Sequence, residues 1–271
     1  MAGQDSNSNW DASTYDHISQ VIESWGLEIL GHRKWKGDEI VLDAGCGSGT
    51  LTKILSDLVP HGKVIGIDID PAMIKIAKAK LADSNNIQVI QGDISEMQLQ
   101  DESDVVFSNA VLHWIPNHRK VFDRFSKILN PGGQLLVQCG GYGNLAKSLD
   151  IFDRVRNSPR FCNYFENQYG EPIWANPWYF AKKEDVELLL KDIGFANIHV
   201  FLENKIANFE NKVDYSLYIR TIVLKPYLEY LQEQLKKRFI ESIINEIGAN
   251  MPELKWKLDY VRLNIFADKK K

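Results

Sequence analysis

A glycine-rich loop near residue 45 has the composition of a ligand-binding turn. The short apolar run at 39–43 leads into Gly45, Gly47 and Gly49, and a helical pattern starts at Thr50. Glycine lets the backbone turn tightly and approach a ligand without interference from a side chain. The helix that follows presents unpaired N–H groups in its first turn. The sequence therefore predicts that this loop binds a ligand through its backbone.

The spacing of the glycines argues against two common nucleotide-binding motifs. A dinucleotide-binding fingerprint needs GxGxxG, but its last position falls on Thr50 when counted from Gly45 and on Thr52 when counted from Gly47. A P-loop is excluded because no Gly-Lys-Ser/Thr follows. The loop is GxGxG, with Asp43 two residues before it. A nicotinamide-dependent oxidoreductase is therefore the weaker alternative.

Strand and helix patterns alternate over the first half of the chain, and these elements must position the loop. Apolar runs lie at 39–43, 63–68, 87–91, 104–108 and 134–138. Helical patterns lie at 15–33, 50–58, 71–82 and 118–129. Such alternation predicts βαβ units, and strands that are apolar throughout predict a parallel sheet covered on both faces. Asp70, directly before Pro71, is expected to cap the helix at 71–82.

The regular alternation stops after residue 140. Helices are predicted at 144–156, at 182–193 and over most of 213–247, with a break at Pro226, and strands are predicted at 197–202 and 257–267. Residues 161–180 contain eight aromatic side chains. An aromatic concentration of this kind can form a substrate-binding surface or a small hydrophobic core of its own.

The composition excludes several classes of protein. The chain has 271 residues, of which 44% are hydrophobic and 25% charged, as in ordinary globular proteins. Its net charge of −4 argues against a protein that mainly binds nucleic acid. We expect no membrane span, no secretory signal and a cytoplasmic location. The three scattered residues Cys46, Cys139 and Cys162 predict neither a disulfide framework nor a metal site.

A series of motifs resembles the class I S-adenosylmethionine-dependent methyltransferases. The D-x-G-x-G-x-G loop is similar to motif I of that family. Further matching motifs follow at strand ends in the expected order, namely Ile67-Asp68-Ile69-Asp70, Gln91-Gly92-Asp93-Ile94, residues 108–114 and residues 129–134. The resemblance implies a Rossmann-like α/β fold with a doubly wound, seven-stranded, mainly parallel sheet. It also implies an antiparallel last strand, helices on both faces, a helical lid and S-adenosylmethionine as the cofactor.

The resemblance also implies roles for individual residues. Asp68 accepts hydrogen bonds from the two ribose hydroxyls, Asp93 receives the adenine amino group, and Ile94 packs on the adenine ring. The end of the fourth strand, at Asn109 and Ala110, holds the methionine part of the cofactor and faces the substrate. The full set of expected cofactor contacts is Asp43, Gly45, Cys46, Gly47, Gly49, Asp68, Ile69, Met73, Asp93, Ile94, Asn109 and Ala110.

Two segments point towards a carboxylate as the methyl acceptor. Residues 9–15 and 107–116 resemble trans-aconitate methyltransferases, and residues 113–115 also resemble juvenile hormone acid methyltransferases. Both groups methylate carboxylates on small molecules. Residues 144–180 and 205–255 match neither group closely, which leaves other readings open. These are an acceptor nitrogen, carbon or phenolic oxygen with His113 as the base, and a relative that binds the cofactor without catalysis.

Candidate substrate residues fall in the segments expected to surround the methyl group. His113 is a candidate base or hydrogen-bond donor, and Tyr15 a candidate contact to the cofactor carboxylate or the methyl group. Arg220 could hold a substrate carboxylate or form a surface ion pair. The remaining candidates are aromatic, and any of them could instead pack a core: Trp10, Trp114, Tyr142, Trp174 and Trp178.

The motifs divide the chain into parts that return to one sheet. We expect an N-terminal arm and helix (1–38), a cofactor-binding core (39–143), an aromatic lid insertion (144–181), a core helix and strand (182–204), a helical lid insertion (205–255) and a final core strand with its tail (256–271). The two insertions, together called the lid below, are expected to pack on each other.

Overall fold

A seven-stranded sheet forms the centre of the protein in the computed structural model, which describes residues 12–98 and 102–271, with side chains from residue 20 onward. The strands are β1 (Ile40–Ala44), β2 (Lys63–Asp68), β3 (Ile87–Gln91), β4 (Ser103–Asn109), β5 (Leu129–Gly140), β6 (Phe195–Asn208) and β7 (Lys257–Lys269). Their spatial order is β3-β2-β1-β4-β5-β7-β6. The first five strands in that order pair in parallel, and β7 is antiparallel to both neighbours. The doubly wound sheet with an antiparallel last strand is therefore confirmed.

Helices pack around the sheet and form the lid. They are α1 (Ala12–Leu30), α2 (Thr50–Leu58), α3 (Pro71–Lys80), α4 (His118–Ile128), α5 (Ala146–Arg156), α6 (Lys183–Ile193), α7 (Lys212–Tyr218), α8 (Lys225–Leu228) and α9 (Glu233–Asn250). The carboxylate of Asp70 accepts a hydrogen bond from the N–H of Ala72 at 2.8 Å, which confirms it as the cap of α3. None of the helices in the described ranges is long and apolar enough to cross a bilayer.

The central strands are apolar because both of their faces are covered. Val41 and Leu42 of β1, and Val105 and Val106 of β4, are fully buried. The register pairs Ala44 with Ile67, so β1 ends beside the end of β2. The chain reverses its direction of winding between β1 and β4, and such a switch point leaves a crevice at the carboxyl ends of the strands. The glycine loop begins at that point.

Two elements differ from their sequence-based expectation. β6 continues to Asn208, beyond the predicted end at 202, because its backbone stays paired with β7 although its side chains become polar. The region 213–247 is divided into three α-helices joined in part by a π-helical turn at Ile219–Val223. Pro226 lies in the first turn of α8, where its missing N–H costs nothing.

The two lid insertions share one hydrophobic core. Phe161 of the aromatic insertion meets Phe239 of the helical insertion with ring centroids 5.1 Å apart, and Phe165 lies 6.5 Å from Tyr227. All four side chains are almost fully buried. Trp25 of α1 joins the same cluster. The lid is thus attached both to itself and to the helix that covers one face of the sheet.

Candidate active site

The glycine loop after β1 has a backbone conformation that residues other than glycine rarely adopt. Gly45, Gly47 and Gly49 have φ angles of 89°, 53° and 85°, in the left-handed region that favours glycine. The N–H groups of Gly45 and Cys46 donate to the carbonyl oxygen of Ile67 at 2.7 and 2.9 Å, which ties the loop to β2. A Cβ atom on Gly47 would meet nothing within 4 Å. This side of the loop is therefore an open backbone cradle.

Asp68 at the end of β2 is held in position by the backbone. One carboxylate oxygen accepts from the N–H of Gly47 at 2.9 Å, and the other accepts from the N–H of Asp70 at 2.9 Å. Each oxygen keeps a second lone pair for a ligand. Beside it, Ile69 is 65% exposed, an apolar side chain at the rim of the crevice. A fixed acceptor next to an apolar surface fits a ribose joined to an adenine ring.

Asp43 and Cys46 lie beneath the loop and are shielded from solvent. Asp43 accepts a hydrogen bond from Oγ1 of Thr52 at 2.7 Å. Burial raises the pKa of Asp43 to about 7, and the nearby charge of Asp68 acts in the same direction. The hydrogen bond from Thr52 opposes this rise. Cys46 packs against Gly66, on which a Cβ atom would lie 3.1 Å from its sulfur. Burial raises the pKa of the Cys46 thiol, so it is a packing residue and not a nucleophile.

The raised pKa of Asp43 predicts a pH-dependent stability. Between about pH 4 and pH 7 the folded protein holds a proton that the unfolded chain releases, so the free energy of unfolding falls as pH rises through this window. Asp43→Asn should remove a slope of about 1.4 kcal/mol per pH unit. Urea unfolding of both proteins at several pH values measures this difference. If the difference in unfolding free energy between the two proteins stayed constant from pH 4 to pH 7, the raised pKa of Asp43 would be wrong.

The adenine-binding candidates lie at the end of β3 and in α3. Oδ1 of Asp93 accepts from the N–H of Ser95 at 2.7 Å, so this carboxylate caps the turn that follows. Ile94 is buried among the core residues of the sheet, and Met73 is half-buried on α3. The turn cap does not use all the lone pairs of Asp93. The contacts of Asp93, Ile94 and Met73 with adenine remain predictions.

An unpaired acceptor lies at the switch point after β4. Nδ2 of Asn109 donates to the carbonyl oxygen of Ile22 in α1 at 3.1 Å, while its Oδ1 is buried without a partner. Ala110 follows with a φ of 61°, and its N–H donates to the carbonyl oxygen of Gln138 at 2.8 Å. A buried carbonyl oxygen without a donor is rare. It fits the amino group of a bound methionine moiety, so the residues present match S-adenosylmethionine.

His113 lies on a short turn after β4 and is held as a neutral side chain. Its Nδ1 accepts from the N–H of Gly140 at 3.3 Å. Burial lowers the pKa of His113 to about 3, with a smaller effect from the charge of Arg262. With Nδ1 occupied as an acceptor, the proton is on Nε2, which can donate a hydrogen bond but cannot accept a proton. This geometry disfavours the reading of His113 as a general base.

Aromatic side chains form a wall beside His113. Its ring lies 5.4 Å from that of Trp114 and 6.1 Å from that of Phe180. Trp178 stacks on Phe180 at 6.2 Å and lies 5.7 Å from Trp114. Trp114 is 41% exposed and Tyr142 is 59% exposed, and Tyr142 lies near Lys182. The structure thus brings Trp114 and Trp178 together with His113.

Two substrate candidates lie elsewhere. The ring of Trp174 stacks on that of Tyr227, with the centroids 4.8 Å apart, and the guanidinium carbon of Arg156 lies 4.5 Å from the Trp174 centroid. Trp174 therefore packs in the lid core. Arg220 is 55% exposed and pairs with Glu233 at 3.2 Å, which makes it a surface ion pair. The expectation that Arg220 holds a substrate carboxylate is therefore not supported, because its guanidinium points to solvent.

Two candidates at the N-terminus lie beyond what the structure describes. Trp10 is outside the described residues. Tyr15 belongs to α1, but its side chain is outside the described part. Their predicted roles stay predictions.

Sequence reasoning missed a row of buried polar residues at this edge of the sheet. Gln138 of β5, together with Arg262 and Asn264 of β7, is almost inaccessible to solvent. A signal was present, because Arg262 and Asn264 alternate with apolar residues in the last strand. Alternation of this kind is typical of a strand with one face in water. Here α1 and the lid cover that face.

Comparison with known proteins identifies the family. A model described as a methyltransferase domain matches residues 42–137. An uncharacterized methyltransferase of Schizosaccharomyces pombe is 29% identical over 271 residues, with 96% of this chain and 98% of the relative covered. Malonyl-[acyl-carrier protein] O-methyltransferase 1 of Ilyobacter polytropus is 32% identical over 206 residues, which cover 72% of this chain and 76% of the relative.

Two further comparisons concern a relative whose name states its substrate and a solved structure with a similar fold. Trans-aconitate 2-methyltransferase of Shigella flexneri is 37% identical over 131 residues, about half of each chain (48% and 51%). Phosphoethanolamine N-methyltransferase 2 of Haemonchus contortus, solved with S-adenosyl-L-methionine, has a TM-score of 0.59 and 19% identity, covering 95% of this chain and 56% of its own. That likeness shows the fold. With the glycine loop, the fixed Asp68 and the sheet topology, these relatives establish that the chain belongs to the class I S-adenosylmethionine-dependent methyltransferases, with S-adenosylmethionine as its methyl donor.

Proposed function

We propose that this methyltransferase forms methyl esters on carboxylates of small molecules. The observation that carries the proposal is the state of His113, the polar ring at the end of β4. It is neutral, its Nδ1 is occupied by Gly140, and it has a proton to donate on Nε2. Within residues 20–98 and 102–271, the side chain at this position is a donor and not a base, which suits an acceptor that arrives without a proton.

The chemistry of the acceptor decides whether a base is needed. When bound, S-adenosylmethionine supplies an electrophilic methyl group, so a carboxylate oxygen gains the O–C bond while the S–C bond breaks and no proton is released. An amine or phenol acceptor would hold a proton at neutral pH and require a base. The N–H of His113 can orient a carboxylate oxygen, and the wall of Trp114, Trp178 and Phe180 can exclude water. These residues therefore act by positioning.

The relatives support the same class of acceptor. The names of the malonyl-[acyl-carrier protein] and trans-aconitate methyltransferases state acceptors that carry carboxylates. The net charge of −4 suits a small acceptor better than nucleic acid. The proposal includes a cytoplasmic location, which the free thiols of Cys46, Cys139 and Cys162 support.

His113→Gln should keep most of the activity, because the glutamine amide can also donate a hydrogen bond. We expect kcat to stay within about 10-fold of the wild-type value, whereas loss of a general base costs about 100-fold or more. His113 should also contribute no ionisation to the rate between about pH 6 and pH 9, since its pKa and that of an acceptor carboxylate lie below this range. An ionisation near pH 7 would belong to Asp43 and should persist in His113→Gln. Steady-state kinetics across this pH range test both points. A pH profile with an ionisation that His113→Gln abolishes would contradict the proposal.

An acceptor screen tests the function directly. The protein is incubated with methyl-labelled S-adenosylmethionine and panels of carboxylic acids, amines and phenols. Methyl esters release their label as volatile methanol after mild base, while N-, C- and phenolic O-methyl groups do not. We expect base-labile label with carboxylic acids. Stable label with amines or phenols alone would show that the acceptor is of another class.

A further inference from the structure

A buried arginine lies at the active-site edge of the sheet without an acidic partner. Arg262 of β7 is directly opposite Gly140, the last residue of β5, and is 1% exposed. Its Nε donates to Oε1 of Gln138 at 3.3 Å, while its Nη2 is buried and has no hydrogen-bond partner. Across residues 20–98 and 102–271, no carboxylate lies within 4.0 Å of the guanidinium. A buried charge without a counterion is costly.

The side chains next to Arg262 form a hydrogen-bond chain with a single direction. Nδ2 of Asn264 donates to Oε2 of Glu203 at 3.4 Å. Nε2 of Gln138 donates to Oδ1 of Asn264 at 2.7 Å, and Arg262 donates to Gln138. Each carbonyl oxygen in the chain accepts from the next residue. The chain therefore ends in an unused donor, Nη2 of Arg262, which is complementary to an anion.

Glu203 does not neutralise this arginine, although it is its cross-strand neighbour. Its carboxylate is bonded to Nζ of Lys205 at 2.9 Å and to Asn264. The aromatic rings of Trp25 and Tyr260, at 5.4 and 6.0 Å from the guanidinium carbon, pack around it. These rings attract a cation but accept no strong hydrogen bond. Nη2 thus keeps a donor that no side chain around it uses.

The position of Arg262 connects it to the reacting centre. The strand register places Asn109, Gln138 and Asn264 in one row across β4, β5 and β7, and Arg262 is on the same face as that row. Gly140, opposite Arg262, is the residue that donates to His113. The charge of Arg262 also contributes to the lowered pKa of His113. The free donor of Arg262 and the N–H of His113 therefore belong to the same end of β5.

We propose that Arg262 binds the carboxylate of the methyl acceptor and is the residue that selects acidic substrates. The proposal rests on the proposed carboxylate methylation and specifies its recognition residue. A guanidinium binds a carboxylate through planar paired hydrogen bonds, a geometry that Lys does not reproduce. The carboxylate-binding role, one of the two readings that the sequence left open for the exposed Arg220, is here given to a buried arginine on the sheet.

Kinetics and thermal stability of the variants Arg262→Met and Arg262→Lys test the proposal. Arg262→Met should raise KM for carboxylic acids by about 100-fold or more. The dissociation constant for S-adenosylhomocysteine should change less than about 3-fold, because no cofactor contact is assigned to Arg262. Arg262→Lys, which keeps the charge, should give an intermediate KM. Arg154→Met, which removes an exposed, ion-paired arginine of the lid, is the matched control and should leave KM unchanged.

Thermal stability distinguishes an anchor from a structural arginine. Arg262→Met removes an uncompensated buried charge but also the donor to the buried Oε1 of Gln138, and these opposing effects should leave Tm nearly unchanged. In the presence of S-adenosylhomocysteine, trans-aconitate, malonate and octanoate are used as carboxylate probes. At least one of them should raise the Tm of the wild-type protein but not that of Arg262→Met. A fall in Tm for Arg262→Met and Arg262→Lys, with KM unchanged, would show a structural role and overturn the proposal.

Failure of the proposed function is separable from failure of this inference. If the wild-type protein methylates carboxylates and Arg262→Met has an unchanged KM, the anchor is wrong and ester formation stands. If carboxylates stabilise only the wild-type protein but are not methylated, the anchor stands and the methylated atom lies elsewhere on the acceptor. If carboxylates are neither methylated nor bound, both proposals are wrong.

Discussion

Asp68→Ala is expected to weaken binding of S-adenosylhomocysteine by about 10- to 150-fold, or about 1.5–3 kcal/mol. The loss has two sources. The variant lacks the charged acceptor proposed to bind the ribose hydroxyls. It also frees the N–H groups of Gly47 and Asp70, which Asp68 holds at 2.9 Å, so the loop loses one of its anchors to β2 and keeps the bonds from Gly45 and Cys46 to Ile67. Isothermal titration calorimetry with the wild-type and variant proteins measures the change.

Asp70→Ala is the matched control for this prediction. Asp70 is two residues away and carries the same charge, but its carboxylate caps α3 by accepting from Ala72. Its loss should cost about 1 kcal/mol of unfolding free energy and leave the cofactor affinity nearly unchanged. If both variants lost affinity equally, the loss would come from removing a negative charge near the site and not from a specific contact between Asp68 and the ribose. If Asp68→Ala bound as tightly as the wild type, the ribose assignment would be wrong.

The parts of the fold that could be predicted are those with a local signal. β2 and β3 have the predicted bounds, and β1 is displaced by a single residue. β1 and β2 are short apolar runs that are almost entirely buried, whereas β3 is a partly exposed edge strand in which Ile and Val are interspersed with glutamine. Both patterns are typical of strands, and the turn residues and helix caps between them set the bounds. The cap at Asp70 was predictable because a carboxylate followed by Pro71 satisfies the first turn of a helix locally.

The parts that could not be predicted depend on which distant segments cover a residue. Arg220 and Arg262 each lie among apolar residues, and the sequence left Arg220 open between a carboxylate ligand and a surface ion pair while giving Arg262 no role. In the structure Arg220 faces solvent beside Glu233, and Arg262 is buried. Trp174 and Trp178 are four residues apart, yet one packs on Tyr227 inside the lid and the other lies beside Trp114. Only the packing of the two lid insertions on each other and on α1 decides these cases.

Gly45→Ala should damage the fold, with the largest loss of stability among the loop variants. A Cβ atom at Gly45 would lie 2.1 Å from Cγ2 of Val111, and a φ of 89° is strained for alanine. Val111 is β-branched and cannot easily turn away. Left-handed strain and overpacking together should cost about 2–5 kcal/mol of unfolding free energy. Adding Val111→Ala should recover the overpacking part and leave the strain.

Gly47→Ala is the counterpart that separates binding from folding. Nothing lies within 4 Å of its Cβ position, so only backbone strain at a φ of 53° remains, and the cost to stability should be about 1–2 kcal/mol. The new methyl group would occupy the open side of the loop where the cofactor is expected. Affinity for S-adenosylhomocysteine should therefore fall by about 10-fold or more while most of the stability is kept. Urea unfolding and calorimetry on both variants give the two quantities separately. An unchanged affinity for Gly47→Ala would mean that the cofactor does not approach this face of the loop, and the glycine at 47 would then serve the turn alone.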